Sequence, residues 1–389
     1  MKPLYWRASK VSRIELLLVA LVATISVAVV ENLPRVVQQP YYNQKLSAAR
    51  LAERCQIAIR EEKQRRGLPI DPESDPHNTG MIGSSVSKIT SNTGHLPSKL
   101  LSTNPNFAAV MVDLLKQAGV TDGSTVAVGL SGSFPAMNIA LFSALEVLGA
   151  EAIVIASASA SQWGATDISY TWLDMEQTLV SRGLLGFRTF AASRGGIDDR
   201  GFGIARDGRQ LLDEAIERAK VRRLSPKSLG EAIDTRMTLF HEQSKGAHIA
   251  AYVNIGGGSA SVGTVVGKKL FTPGINTVAP KGATDSVMLR FVEDGVPVIH
   301  ISGIKRLARR FDLPVAMLAP PRVGEGGVYD KTEYNTWFAA LGLIATLGTM
   351  FVLLKLDLRQ AVVLLRKKPA PEPQNTAAQR GPGSNTPSS

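Results

Sequence analysis

A strand, a turn of small residues and a helix follow one another near residue 130, and this pattern constrains the fold more than any other feature. Residues 124–130 are an apolar run with β-branched side chains, which predicts a buried strand. Ser131–Asn138 is a turn of mostly small residues, and the breaker-free apolar segment from Ala136 to Leu148 predicts a helix. The amides of such a turn and the positive end of the helix dipole favour an anion.

The same pattern continues downstream. Predicted strands at 152–156, 250–255 and 296–301 each end in a loop rich in serine, glycine or alanine. Strands that alternate with helices predict an α/β domain with a mostly parallel sheet and flanking helices. Because ligands of such sheets lie beyond the carboxyl ends of the strands, we expect these loops to form one polar site. The alternative is that small residues only make the turns tight.

Most candidate ligand-binding residues lie in these strand-end loops. They are Ser131, Gly132, Ser133, Asn138, Ser159, Ser161, Trp163, Gly257, Gly258 and Ser259. Lys99 joins them because it ends a hydroxyl-rich segment, 81–99, whose hydroxyl and ammonium donors suit a carboxylate or a phosphate. That segment also fits a lid, a solvated loop or an edge hairpin. No dinucleotide or P-loop fingerprint occurs, so we predict no cofactor.

A serine hydrolase or transferase is the alternative function. Gly129–Ser133 approaches the G-x-S-x-G nucleophile elbow, although Ser133 stands where the last glycine is expected. The nucleophile would then be Ser131 or Ser133. The candidate bases are His241, His248 and His300, and the candidate acids that would orient the base are Asp174 and Asp198. The simpler interpretation is that His241 is an exposed helix residue and His300 a buried strand residue.

Composition argues against several other classes of function. Cys55 is the only cysteine, so no internal disulfide can form and no cysteine metal site exists. The five histidines lack metal-ligand spacing, so we predict no metal. The net charge is +11, but residues 1–31 and 334–389 carry +6 of it, which leaves only +5 for the centre of the chain. Nucleic-acid binding is therefore not favoured, whereas a mildly basic surface suits an anionic ligand.

Two apolar segments bracket the chain. The first has basic residues before it and is short for a span, and Ser26-Val27-Ala28 offers a signal-peptide cleavage site as the alternative to a retained anchor. The second has eighteen uncharged residues, 337–354. Lysine and arginine concentrate at the outer flanks of both segments, which predicts cytoplasmic termini and an external domain at 32–333.

The predicted organisation has six parts. They are a cytoplasmic basic N-terminus at 1–13, a transmembrane helix or signal anchor at 14–31, a stalk helix with a proline-rich linker at 32–80, an extracytoplasmic α/β domain at 81–333, a transmembrane helix at 334–355, and a cytoplasmic basic, disordered tail at 356–389. The stalk or docking helix is the heavily charged segment 43–66, in which we expect Cys55 to be a packed side chain.

Three runs, at 131–140, 158–165 and 171–176, resemble the membrane-anchored poly-γ-glutamate system protein family. The resemblance covers most of residues 10–355 and includes the terminal apolar segments. It implies the bacterial cytoplasmic membrane as location, and the anionic polymer and the membrane subunits of its synthase and export system as partners. It assigns no catalytic residues.

We therefore expect an accessory protein of poly-γ-glutamate biosynthesis and export that is not an enzyme. It would bind the polymer, or a related small anion, through loops at 131–138, 157–165 and 256–261. The alternative is an extracytoplasmic serine hydrolase or transferase that trims or anchors the polymer. A general anion-binding receptor is a third possibility.

Overall fold

The structure is a computed structural model that describes residues 12–256, 258–263, 265–316 and 319–356. Two compact units form within these ranges. One contains the residues up to Arg35 together with those from Thr332 onward, and the other is Val36–Lys331. The predicted basic N-terminus and C-terminal tail lie almost wholly outside the described residues.

Helices and strands alternate through most of the chain. The helices are α1 (Arg13–Asn32), α2 (Tyr42–Arg65), α3 (Leu96–Ser102), α4 (Phe107–Gln117), α5 (Pro135–Leu148), α6 (Trp172–Ser181), α7 (Arg206–Arg218), α8 (Leu229–Ser244), α9 (Ser259–Val262), α10 (Val265–Leu270), α11 (Val287–Glu293), α12 (Ile304–Arg310) and α13 (Thr336–Leu356). The strands are β1 (Arg35–Gln38), β2 (Thr90–Asn92), β3 (Thr125–Ser131), β4 (Glu151–Ser157), β5 (Ala160–Ser161), β6 (Thr189–Ser193), β7 (Arg222–Leu224), β8 (Ile249–Ile255), β9 (Gly274–Asn276), β10 (Val298–Ile301) and β11 (Asp330–Glu333).

A seven-stranded sheet is the centre of the larger unit, in the order β7-β6-β4-β3-β8-β10-β9. All neighbours pair in parallel except the edge strand β9, which is antiparallel to β10. The α/β class and the mostly parallel sheet are therefore confirmed. After β3 the chain adds β4, β6 and β7 on one side and then returns to add β8 and β10 on the other. The strand order therefore switches between β3 and β8, where open α/β sheets bind ligands.

Helices cover both faces of this sheet. Alternate residues of β3 enter opposite cores, because side chains of a strand point alternately to its two sides. Val126 and Val128 pack with the apolar faces of α2, α4 and α5, whereas Ala127 packs with those of α8 and α11. Burial on both faces explains why the central strands are continuous apolar runs rather than alternating ones.

Helix α2, for which the sequence suggested a stalk or docking role, packs within the domain. Its buried face is built of small residues such as Ala48, Ala49 and Ala52, which allow close approach to α4 and α5. Lys45, buried on the same helix, forms an ion pair with the partly exposed Asp113 at 2.7 Å. The compact unit therefore begins at Val36 and not at residue 81, and the proline-rich segment is part of it.

Cys55 lies on this buried face of α2. The thiol is fully buried, and burial raises its pKa to about 12. The expectation that Cys55 is a packed side chain is confirmed.

In the smaller unit, α1 and α13 have the length and apolar composition to cross a membrane, and neither is buried within the protein. At 1.5 Å per residue, about 20 residues of helix span roughly 30 Å, the thickness of the hydrocarbon core. The two helices pack together: a Cβ atom added to Gly342 would lie 2.7 Å from the Cβ of Ser26. The Tyr334 hydroxyl also lies 3.5 Å from a carboxylate oxygen of Glu31.

Candidate functional site

The loops after β3, β4 and β8 meet at the switch point of the sheet. Gly256, directly after β8, has a φ of +104°, and a Cβ atom there would lie 2.9 Å from the Oγ of Ser131. A Cβ atom at Gly258 would lie 3.6 Å from the Oγ of Ser157, at the end of β4. The positive φ favours glycine at position 256, and a side chain there would also force the Ser131 hydroxyl to shift. Three of the predicted strand-end loops therefore do converge.

Lys99, Ser133 and Ser161 form a second group of predicted residues that the fold brings together. The Nζ of Lys99 lies 2.8 Å from the Oγ of Ser161 and donates to the backbone oxygen of Ser133. The backbone amide of Ser161 donates to the Oγ of Ser133 at 3.1 Å. Lys99 is only 2% exposed, and its ammonium group lies 4.1 Å from the centre of the Phe134 ring. The Nζ of Lys99 is thus directed at protein groups rather than at solvent.

The hydroxyl-rich segment 81–99 forms one wall of the site. Its strand β2 pairs in parallel with β5, so the segment is not an edge hairpin. The amide of Trp163 donates to the backbone oxygen of Ser84 at 3.0 Å, and Gly94 donates to the Gln162 side chain at 3.0 Å. These bonds fix the segment against the loop that follows β4.

Several predicted ligand-binding residues serve mainly to hold the loops in place. Asn138 is fully buried and donates to the backbone oxygen of Ser131 at 2.9 Å. The backbone oxygen of Ser159 accepts from the amide of Gly132 at 3.2 Å. Ser259 donates from its Oγ to the backbone oxygen of Gly196 at 3.2 Å. Gly257 lies outside the described residues.

Sequence reasoning missed a buried polar cluster made by Ser157, Ser193, Asp199 and Arg236. Ser193 donates to the carboxylate of Asp199 at 2.7 Å, and Ser157 donates to it at 3.4 Å. Arg236 donates to the same carboxylate and also, at 3.0 Å, to the Oγ of Ser193. The sequence contains one indication of this cluster. Arg236 lies on the apolar face of α8, where a buried charge without a partner would be unfavourable.

The residues of the predicted hydrolase triad do not assemble. Asp174 accepts hydrogen bonds from Thr171 and pairs with Arg218 at 2.7 Å. Arg218 ends α7 just before β7 begins, so this pair lies toward the amino ends of the strands. His241, in the last turn of α8, is also on the amino-end side, since β8 begins five residues after that helix. Ser131 is at the opposite, carboxyl edge.

The remaining candidate residues of the serine hydrolase, His248, His300 and Asp198, lie on other parts of the fold. His248 directly precedes β8, whereas Asp198 lies in the loop after β6. His300 is buried within β10, with its Nδ1 3.1 Å from the Nδ2 of Asn254. In the described ranges, no three histidine, cysteine, aspartate or glutamate side chains form a group able to hold a metal ion.

A row of cations lies beside the carboxyl edge, on helix α12. This helix begins three residues after the end of β10 and packs near α3, which carries Lys99. Its buried side is Ile304, Leu307 and Ala308. Its exposed side consists of Lys305, Arg306, Arg309 and Arg310, which we call the α12 basic face. None of these four forms a salt bridge with any residue that the structure describes.

No family model, curated protein or solved structure matches this chain.

Proposed function

We propose that the chain is a membrane-anchored accessory protein of poly-γ-glutamate biosynthesis and export, which binds the anionic polymer or a related small anion. The main support for an anionic ligand is the α12 basic face, which is exposed and lies beside the strand-end loops. The proposal of poly-γ-glutamate as the polymer rests on a resemblance to the poly-γ-glutamate system protein family. The residues that show this resemblance are 131–140, 158–165 and 171–176.

The spacing of the cations suits a polymer with many carboxylates. Lys305 with Arg309, and Arg306 with Arg310, are four residues apart, so the four side chains form two adjacent rows on one helix face. A single exposed ion pair contributes at most about 1 kcal/mol in water. Once one carboxylate of a polymer is bound, its neighbouring carboxylates are held near the other cations at a high effective concentration. The affinity of the polymer therefore exceeds that of a single carboxylate. Such binding weakens with salt, because exposed charges are screened beyond about 10 Å at 0.1 M ionic strength.

The strand-end loops add hydrogen-bonding groups beside these charges. Ser133, Ser161 and Ser259 are partly exposed at the carboxyl edge. Hydroxyl and amide donors hold a carboxylate in a defined geometry, whereas the cations of α12 attract it over a longer range. The two features together favour an acidic chain that runs from the α12 basic face across the loops.

In this proposal α1 and α13 are two membrane spans, both termini are cytoplasmic, and residues 32–333 are outside the cell. The excess of lysine and arginine on the outer flanks supports this orientation. The close packing of α13 on α1 at Gly342 and Ser26 favours a retained anchor over a cleaved signal peptide. The lipid-facing sides of the two helices would contact the membrane subunits of the synthase and export system.

Binding of poly-γ-glutamate to the detergent-solubilised full chain tests this function. We expect measurable binding that weakens as salt is raised. A variant with all four α12 cations replaced by glutamine is expected to lose at least about tenfold in affinity, or roughly 1.4 kcal/mol. The control variant replaces Arg50, Arg54, Lys220 and Lys245, all exposed elsewhere, and thus changes the net charge equally. Equal losses in both variants, or no binding by the natural chain, would contradict the proposal.

A further inference from the structure

The contact between Lys99 and Ser161 has a geometry that polymer binding does not require. Lys99 lies on α3 and Ser161 on β5. The two residues are 62 positions apart in the chain, yet the Nζ and the Oγ lie 2.8 Å apart. Lys99 is 2% exposed, while Ser161 remains partly exposed at the carboxyl edge of the sheet. A buried amine beside an accessible hydroxyl is the arrangement that activates serine as a nucleophile without histidine.

We propose that Ser161 and Lys99 are a serine–lysine catalytic pair that cleaves amide or ester bonds in an acidic chain. Ser161 is the nucleophile and Lys99 is the general base. The choice of an acidic substrate rests on the proposed function, but the chemistry of the pair does not. The nucleophile is thus neither of the two serines that the sequence motif suggested, and the base is not a histidine.

Lys99 has the surroundings that a lysine base needs. Burial disfavours the charged form of an amine, because it removes the ammonium from water. A neutral amine has two N–H donors and one lone pair. One donor is satisfied by the backbone oxygen of Ser133, and the lone pair can accept the hydroxyl proton of Ser161. The Phe134 ring, 4.1 Å from the Nζ, limits the access of water.

Ser133 is placed to stabilise the oxyanion. Its Oγ accepts a hydrogen bond from the amide of Ser161 at 3.1 Å, so its own hydroxyl proton is available for donation. A donor adjacent to the nucleophile can bind the negative oxygen that develops when the carbonyl is attacked. Loss of one such donor typically lowers kcat by about 100- to 1,000-fold.

The reaction needs no reagent other than water. The Ser161 oxygen attacks the carbonyl carbon while its proton moves to the Lys99 nitrogen. The tetrahedral intermediate then expels the amine or alcohol, which takes the proton from Lys99, and an ester on Ser161 remains. Water attacks this ester, Lys99 accepts a proton from the water, and the proton returns to the Ser161 oxygen as the acid leaves.

Labelling with an alkyl fluorophosphonate tests the pair on the detergent-solubilised full chain. We expect a single adduct, located on Ser161 by mass spectrometry of peptides, that is absent in Ser161→Ala. Lys99→Met is expected to label at least about 100-fold more slowly. The controls are Ser244→Ala, whose hydroxyl donates to the backbone oxygen of His241 in the same helix, and Lys281→Met at an exposed site. Both should label like the natural chain.

The natural chain supplies a further test that does not depend on a variant folding. Its labelling rate should rise about tenfold for each pH unit below the pKa of the base, since only the neutral amine accepts the proton. No adduct, an adduct on another serine, or a pH-independent rate would overturn the inference. Poly-γ-glutamate binding on the same preparation separates the two proposals. Binding without labelling would contradict the catalytic pair but not the polymer-binding function. Labelling without binding would contradict the polymer as ligand but not the catalytic pair.

Discussion

Arg236 donates a charge-assisted hydrogen bond to Asp199, and this buried pair joins helix α8 to the loop that follows β6. The two side chains are only 4% and 1% exposed. Asp199 also accepts from Ser157 and Ser193, which end two neighbouring strands. The pair therefore fixes the loop over the carboxyl edge of the sheet, where the backbone oxygen of Gly196 accepts from Ser259.

Asp199→Asn should destabilise the larger unit on the order of 3 kcal/mol, because Arg236 would remain buried without a compensating charge. The φ of position 199 is 63°, a left-handed conformation that asparagine tolerates. Backbone strain therefore adds little to the measured change in stability. Urea unfolding followed by circular dichroism measures the change. Asp198→Asn, at a similar φ in the same loop, should change stability by less than about 0.5 kcal/mol.

Glu176 should make the stability depend on pH. Burial raises the pKa of this carboxyl to about 7, although two hydrogen bonds from Thr189 oppose the shift. The folded state therefore holds the proton more tightly than the unfolded state between about pH 4.5 and 7, and this contribution to stability is lost as pH rises through that window.

Glu176→Gln removes this titration while it keeps an oxygen to accept from Thr189. Relative to the variant, the natural chain should lose on the order of 3 kcal/mol as pH rises from about 4.5 to 7. Thermal unfolding over a series of buffers measures the difference. Glu151→Gln, at an exposed site, should leave the pH profile of the natural chain unchanged.

Gly256→Ala should destabilise the switch point by about 1–3 kcal/mol, because an alanine there adopts a strained φ and presses on the Oγ of Ser131. The control is Gly230→Ala in the first turn of α8, where the nearest atom lies 3.9 Å away and the φ is not positive. That change should stabilise the chain by about 0.5–1 kcal/mol. Chemical denaturation of both variants checks the contrast, and similar losses in the two would contradict it.

Gly342→Ile should separate α13 from α1, because a side chain at position 342 collides with Ser26. Small residues allow such close packing between helices in a membrane. The variant should lose its monodisperse peak in size-exclusion chromatography at a lower heating temperature than the natural chain. Gly348→Ile should behave like the natural chain, because outside the local helix backbone no described residue lies within 4 Å of a Cβ added there.

The central strands were predictable because burial on both faces demands apolar, β-branched runs, as in β3, β4 and β8. Strand β6 was missed because Thr189-Phe-Ala-Ala-Ser193 is short and rich in alanine. Without that strand, nothing in the sequence places Ser193 at the carboxyl edge of the sheet beside Asp199. A buried arginine on an apolar helix face was the only hint of the cluster around Asp199.

The pairing of Lys99 with Ser161 could not be predicted, because both residues lie on very short elements. Short helices and strands have little periodicity, so their presence depends on the tertiary contacts that they make. The convergence of the loops at 131–138, 157–165 and 256–261 was predictable, since parallel strands place their carboxyl ends at one edge.

The buried state of Cys55 has a practical consequence. Since the thiolate is the reactive form and this thiol has a pKa of about 12, alkylating reagents react with it very slowly at neutral pH. A cysteine introduced on the α12 basic face would then be modified selectively in the otherwise natural sequence. A fluorophore or spin label attached there would report directly on the arrival of an acidic chain.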